Sequence, residues 1–274
     1  MFDPLLLYQV LTASKTFFLI AGPCVIEQES LMMHTAETLK KISEAENIPL
    51  IFKSSYTKAN RTSGDSFSGP GIEQGLKILA QIKKEFTLPI ITDVHETSEV
   101  CAVAEVADII QIPAFLCRQT ALIITAGQTG KIINLKKGQF LAPEDMTNQV
   151  DKVLSTDNHL LLLTERGSSF GYHNLVVDFR SFPIMHKMKF PIVFDATHSM
   201  QKPSISKTSG GSPEYTPMMA QAAIATGFVQ GLFLETHPNP SAALSDSNTQ
   251  FPLASMEKLV HRCVEIQKVS LRTI

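Results

Sequence analysis

Eight residues with side chains suited to chemistry each close a short apolar run: Cys24, Lys53, Asp93, Gln111, Lys136, Arg166, His198 and Glu235. Random punctuation after such runs would be mainly Ser, Asn and Gly, so the set as a whole is a stronger signal than any single motif. It sorts into two kinds. Lys53, Lys136 and Arg166, with nearby Lys58 and Arg61, are cations. In a concave, partly dry site they would repel one another unless anions lay between them. Such a group suits more than one phosphate or carboxylate, with Arg giving a forked contact and Lys a point charge. The plain alternative is that each cation pairs with a neighbouring carboxylate; for five on one rim, the anion site is the expected reading.

The second kind comprises Cys24, His198, Glu235 and, further on, Asp246. Thiolate, imidazole and two carboxylates make a mixed donor set for a divalent transition metal. These four have no local spacing signature. A lone Cys after a strand is more often a small buried hydrophobe, and a lone His a satisfied hydrogen-bonding group. The residues alone leave both readings open. Cys101, Cys117 and Cys263 read as packing residues. The chain has no Gly-x-Ser-x-Gly elbow, Ser-His-Asp signature or Walker loop.

The apolar runs that must position these groups are 17–22, 48–53, 88–94, 107–113, 131–136, 159–166, 191–198 and 231–237. Their apolarity is continuous rather than alternating, the mark of parallel strands covered on both faces. Helical patterns fall between and after them, at 28–46, 72–85, 98–106, 119–127, 143–155, 174–188, 216–226 and 253–269. Strand–helix alternation repeated in this way predicts an α/β fold, a single-domain (β/α)8 barrel spanning residues 1–274, whose active site lies at the carboxyl ends of the strands. A doubly wound open sheet is the runner-up; no Gly-x-Gly-x-x-Gly follows the first strand. The short N-terminal extension before Phe17 is expected to cap the barrel bottom.

Composition agrees. The 274 residues are 44% hydrophobic and 18% charged, which excludes bulk disorder. A net charge of -2 without a basic tract argues against nucleic acid as a partner. No apolar run approaches the roughly 18 residues of a membrane span, so no membrane partner is expected. The first apolar run has no basic residue before it, and four scattered Cys make no disulfide framework, so a cytoplasmic setting is expected.

The segment from Lys53 to Ser63, Lys-Ser-Ser-Tyr-Thr-Lys-Ala-Asn-Arg-Thr-Ser, resembles the signature of the 3-deoxy-D-manno-octulosonate 8-phosphate synthases. The resemblance continues through Gln111-Ile112-Pro113-Ala114-Phe115-Leu116-Cys117-Arg118-Gln119, Asn134-Leu135-Lys136-Lys137-Gly138, Phe194-Asp195-Ala196-Thr197-His198 and Glu235-Thr236-His237-Pro238. It implies condensation of phosphoenolpyruvate with arabinose 5-phosphate and water, giving the eight-carbon sugar acid phosphate and phosphate, in lipopolysaccharide precursor synthesis. It implies substrate contacts from Lys53, Ser55, Lys58, Asn60, Arg61, Gln111, Lys136 and Arg166. Phe115 and Arg118 are implied to act across a subunit boundary of a homotetramer. Lys53, Asp93 and His198 are the implied catalytic groups. Cys24 places the chain with the metal-dependent class, whose divalent ion (Mn, Zn, Fe or Co) would sit on Cys24, His198, Glu235 and Asp246. Relatives often carry Arg near Pro213, so the loop after the seventh strand departs from the pattern. The alternative is a related synthase using erythrose 4-phosphate.

Overall fold

The structure, a computed structural model, describes residues 2–59, 67–202 and 210–270. Asn60, Arg61 and most of the loop after the seventh strand lie outside the described residues. The expected strands are all present: β1 (Phe18–Gly22), β2 (Leu50–Lys53), β3 (Ile90–Asp93), β4 (Ile109–Ile112), β5 (Ile132–Lys136), β6 (Leu161–Glu165), β7 (Ile192–Asp195) and β8 (Val229–His237). Each pairs in parallel with the next, and β1 pairs with β8 to close the barrel. The fold is a single-domain (β/α)8 barrel.

Helices on the outside cover the sheet. They are α2 (Glu29–Glu46), α3 (Ile72–Phe86), α4 (Val100–Val106), α5 (Thr120–Gly127), α6 (Met146–Leu154), α7 (Ser181–His186), α8 (Thr216–Ala225) and α9 (Met256–Ser270). Every strand is nearly sealed from water, because one face packs on these helices and the other fills the barrel. That double burial explains the continuous apolar runs. None of the described helices is long and apolar enough to cross a membrane.

The N-terminal extension forms a helix of its own, α1 (Pro4–Ala13). Asp3 caps it by accepting from Leu6 N at 2.9 Å, and Pro4 begins its first turn. Its buried Leu7 and Leu11 join Phe18, Ile20, Ile51, Ile91, Ile109, Ile132, Leu162, Val193 and Phe233 in the barrel interior. The expected cap is present at the bottom.

Two expectations need correction. The helix expected over 174–188 is shortened to α7, preceded by a small antiparallel pairing of Ser168–Ser169 with Leu175–Val176. Pro183 is the reason: it lacks an N–H and its ring clashes with the preceding turn, so it tolerates only the first turn of a helix. Cys101 is exposed rather than packed, whereas Cys117 and Cys263 are buried.

Candidate active site

Inside a strand, residues two apart share a face. Along the barrel interior this turns apolar filling into polar chemistry within one step: Ile51 to Lys53, Ile91 to Asp93, Ile109 to Gln111, Ile132 to Asn134 and Lys136, Leu162 to Thr164, Val193 to Asp195, Phe233 to Glu235. The polar layer floors a cavity of about 200 Å³ at the carboxyl ends of the strands. Its wall includes Cys24, Lys53, Ser55, Lys58, Asp93, Gln111, Phe115, Lys136, Arg166, His198 and Glu235. The expected residues therefore converge, with exceptions. Arg118 is exposed and is not in the wall. Asp246 is not in the wall either, but its Oδ2 lies 3.3 Å from Cys24 Sγ.

The turn after β1 brings Cys24 in close. A Cβ on Gly22 would lie 2.0 Å from the Lys53 carbonyl oxygen, so only glycine fits there. Lys53 Nζ then donates to the Cys24 carbonyl at 3.0 Å and to Glu235 Oε1 at 2.7 Å. Cys24 Sγ donates to Asp246 Oδ2 at 3.3 Å. Lys58 Nζ donates to Asp246 Oδ2 and lies 3.2 Å from Cys24 Sγ.

The expectation of unpaired cations is corrected here: Lys53 pairs with Glu235, Lys58 with Asp246 and Lys136 with Asp195. A buried charge without a partner would cost too much, so the fold supplies one for each lysine. Burial opposes the charge on Lys53 and Lys58, but the surrounding anions outweigh it and hold both ammonium groups above their usual range. For Lys136 burial prevails, reinforced by Lys53 and Arg166, and its ammonium is held below the usual range despite Asp195. Arg166 differs from the lysines. Its Nη2 donates to the His198 carbonyl at 3.2 Å and to Gln201 Oε1 at 2.7 Å, and among the described residues no carboxylate forms an ion pair with it. Its Nε is buried without a hydrogen-bond partner. An N–H in that state calls for an acceptor from outside the chain.

Two hydrogen-bonded assemblies join the expected residues to Asn134, Thr164 and Asp195, to which the sequence reading gave no role. In one, Thr164 Oγ1 donates to Asn134 Oδ1 at 2.6 Å and Asn134 Nδ2 to Gln111 Oε1 at 2.9 Å. Gln111 Nε2 then donates to Asp93 Oδ1, and Ser55 Oγ to Asp93 Oδ2 at 2.6 Å. Burial would raise the Asp93 pKa, but Lys53, His95, the Ser55 hydrogen bond and Lys136 hold it well below the usual carboxylate range. In the other, Asp195 Oδ2 accepts from Lys136 Nζ at 2.5 Å and faces His198 Nδ1 at 2.8 Å. Oδ1 accepts the backbone N–H groups of Thr197 and His198. Asp195 thus fixes the imidazole with Nε2 turned to Glu235 Oε2, 3.6 Å away. The spacing of two from Ile132, Leu162 and Val193 was the available signal for Asn134, Thr164 and Asp195.

The ligand atoms of Cys24, Glu235 and Asp246 lie within 4.8 Å of one another, all buried. Glu235 Oε2 has no hydrogen-bond partner. A buried orphan carboxylate oxygen beside a thiol and a second carboxylate fits a divalent cation. His198, expected as a fourth ligand, is not among these three; its Nε2 lies 3.6 Å from Glu235 Oε2. The Cys24 thiol is held well above its usual pKa by burial, then by Asp246 and Glu235, so a cation there must displace its proton.

A parallel barrel whose strand ends join a set of buried cations to a thiol–carboxylate cluster has the layout of a (β/α)8 enzyme. The chain belongs to the DAHP synthetase I family, whose model matches residues 10–272. It is 53% identical over 263 residues to a 2-dehydro-3-deoxyphosphooctonate aldolase of Polaromonas naphthalenivorans (strain CJ2), covering 93% of this chain and 92% of that protein. Proteins of the same name in Trichlorobacter lovleyi and Dichelobacter nodosus are 51% and 54% identical. The first alignment covers 93% of this chain and 94% of the relative, the second 90% of each. These names agree with the octulosonate-phosphate synthase resemblance of the sequence motifs.

Proposed function

We propose that this chain condenses phosphoenolpyruvate with arabinose 5-phosphate and water to give 3-deoxy-D-manno-octulosonate 8-phosphate and inorganic phosphate. The observation that carries the reading is Arg166, a buried guanidinium with an unpartnered Nε beside Lys136 in one cavity wall. Arg166 and Lys136 hold the phosphate and carboxylate of phosphoenolpyruvate, with Lys53 beneath the reacting carbons. Lys58 joins them by exchanging Asp246 for the substrate's negative charge. Asn60 and Arg61 take the phosphate end of the sugar, and Ser55, Asp93 and Gln111 its hydroxyl groups.

The methylene carbon of phosphoenolpyruvate attacks the sugar aldehyde, and the aldehyde oxygen gains a proton. Water adds to the adjacent carbon and loses a proton, and phosphate leaves with carbon–oxygen cleavage. Holding two anions in contact is the main task of the cations, because unassisted they repel. Asp93 stays ionised and accepts hydrogen bonds, which orients a hydroxyl rather than protonating it. Cys24, Glu235, Asp246 and His198 would hold a divalent ion, Mn, Zn, Fe or Co. Such an ion polarises an oxygen ligand and lowers the pKa of bound water. Residues 1–274 act as one catalytic domain, in a cytoplasmic homotetramer to which Phe115 and Arg118 contribute at subunit boundaries.

Phosphate release from phosphoenolpyruvate should require arabinose 5-phosphate. The family also carries the name of the heptulosonate synthases, so erythrose 4-phosphate is the comparison substrate. Equal turnover with it would move the chain to that branch.

A further inference from the structure

We propose that Phe233 is a positioning residue for the reaction: the face of its ring keeps the Lys136 ammonium charged and aimed into the cavity. Phe233 lies on β8 two residues before Glu235, in the last apolar layer beneath the polar floor, and is fully buried. Lys136 Nζ stands 3.7 Å from its ring centroid, and Lys53 Nζ 5.6 Å. Both lie within the roughly 6 Å at which a ring face attracts a cation. The His198 ring packs on the same residue, 5.8 Å between centroids. One aromatic side chain therefore touches two cations and the imidazole of the site.

The choice of an aromatic group has a physical reason. Asp195 takes one N–H of Lys136, while Lys53 and Arg166 repel its charge. Asp93 and His198 are the other titratable groups nearby. A second carboxylate beneath Lys136 would stabilise the ammonium but also repel an incoming phosphate. An aliphatic side chain would leave the ammonium with Asp195 alone. A ring face attracts the cation through its quadrupole and adds no net charge, so the ammonium keeps its pull on an anion. It also offers no hydrogen-bond acceptor strong enough to compete with the substrate.

The inference rests on reading Lys136 as a phosphoenolpyruvate ligand, and the test separates the two. Phe233 is replaced by 4-fluoro-, 3,5-difluoro- and 3,4,5-trifluorophenylalanine, which drain the ring face while nearly keeping its shape, and by F233L. Phosphoenolpyruvate and inorganic phosphate are titrated by calorimetry, and kcat and KM are measured from pH 7 to 10. Affinity for both anions should weaken stepwise with fluorination, with F233L roughly ten- to thirtyfold weaker. KM for phosphoenolpyruvate should rise more than kcat falls. Losing the ring disfavours the ammonium, so the alkaline limb of kcat/KM should move to lower pH. Thermal unfolding of the fluorinated proteins should match wild type. A flat series with an unmoved alkaline limb, on wild-type protein that turns over, overturns the role of Phe233 alone. Wild-type protein that binds neither anion overturns it together with the proposed function.

Discussion

Replacing Asp195 with Asn tests the arrangement where it is most concentrated. Asp195 is fully buried, and its two oxygens accept from two backbone N–H groups, Lys136 and His198. After Asp195→Asn the remaining side-chain oxygen can still serve the backbone, but an NH2 group then faces two other donors. Lys136 loses its one carboxylate partner among the described residues, and His198 loses the acceptor that fixes its tautomer. Breaking a buried ion pair from one side costs about 3–5 kcal/mol. If that cost falls on substrate binding, kcat/KM drops roughly 10²- to 10⁴-fold. If it falls on folding, the same energy is a large part of a typical total of about 5–15 kcal/mol.

Two measurements divide these outcomes: urea denaturation, and steady-state kinetics under conditions where the variant is folded. Metal affinity, read by chelator competition, should fall about 10- to 100-fold, as for other residues that orient a metal-binding imidazole. Asp195→Glu restores the charge but not the reach, and should recover part of the stability with little of the activity. D195N with an unchanged denaturation midpoint and kcat/KM within about threefold of wild type would refute the reasoning.

Three further outcomes follow from the same structure. Asp93 and Asp195 are held below their ordinary value of 3.8, so their contribution to stability is present above about pH 4 and is lost as pH falls through the folded values. Urea midpoints should decline below pH 4, and D93N should flatten that decline; a decline equally steep in D93N would argue against it. Deleting residues 1–14 uncovers the barrel bottom and removes buried Leu7 and Leu11, which should cost about 3–6 kcal/mol in urea denaturation. Chelation should abolish activity and Mn²⁺ or Zn²⁺ restore it, while Cys24→Ala should lower bound metal measured by elemental analysis. Full activity of verified metal-free protein would sink the metal reading.

The barrel was legible because doubly buried strands leave long apolar runs, and each run ends where the active face begins. The strand ends therefore named eight residues of the cavity wall directly. What stayed hidden lay two or three residues before those ends. Asn134 and Thr164 sit inside their strands and Asp195 closes β7, where a polar residue looks like an interruption or the plain end of the run. Their role depends on partners in neighbouring strands, Asn134 on Gln111 and Asp195 on Lys136. The apolar pattern before Pro183 overextends α7, because periodicity alone is blind to the limit that proline sets on a helix start. Phe233 was invisible for the opposite reason: an aromatic residue in an apolar strand looks like filling until a cation is placed over its face.

The pairing of the lysines changes what the near-neutral charge of the chain means. From spacing alone, the strand-end cations read as a positive rim that binds anions. Instead, Lys53, Lys58 and Lys136 carry their own carboxylates inside the site, and the balance is local. A cavity of unpaired cations would be costly to fold without its substrate, whereas paired cations fold in place and remain ready. On the proposed function, an incoming phosphate would compete with Asp246 for Lys58, while Arg166, with its unpartnered buried Nε, would need no exchange. Anion binding should therefore begin at Arg166. Arg166→Lys, which keeps the charge but loses the fork, should weaken inorganic phosphate more than Lys58→Met does, and the reverse order in calorimetry would overturn this sequence of contacts.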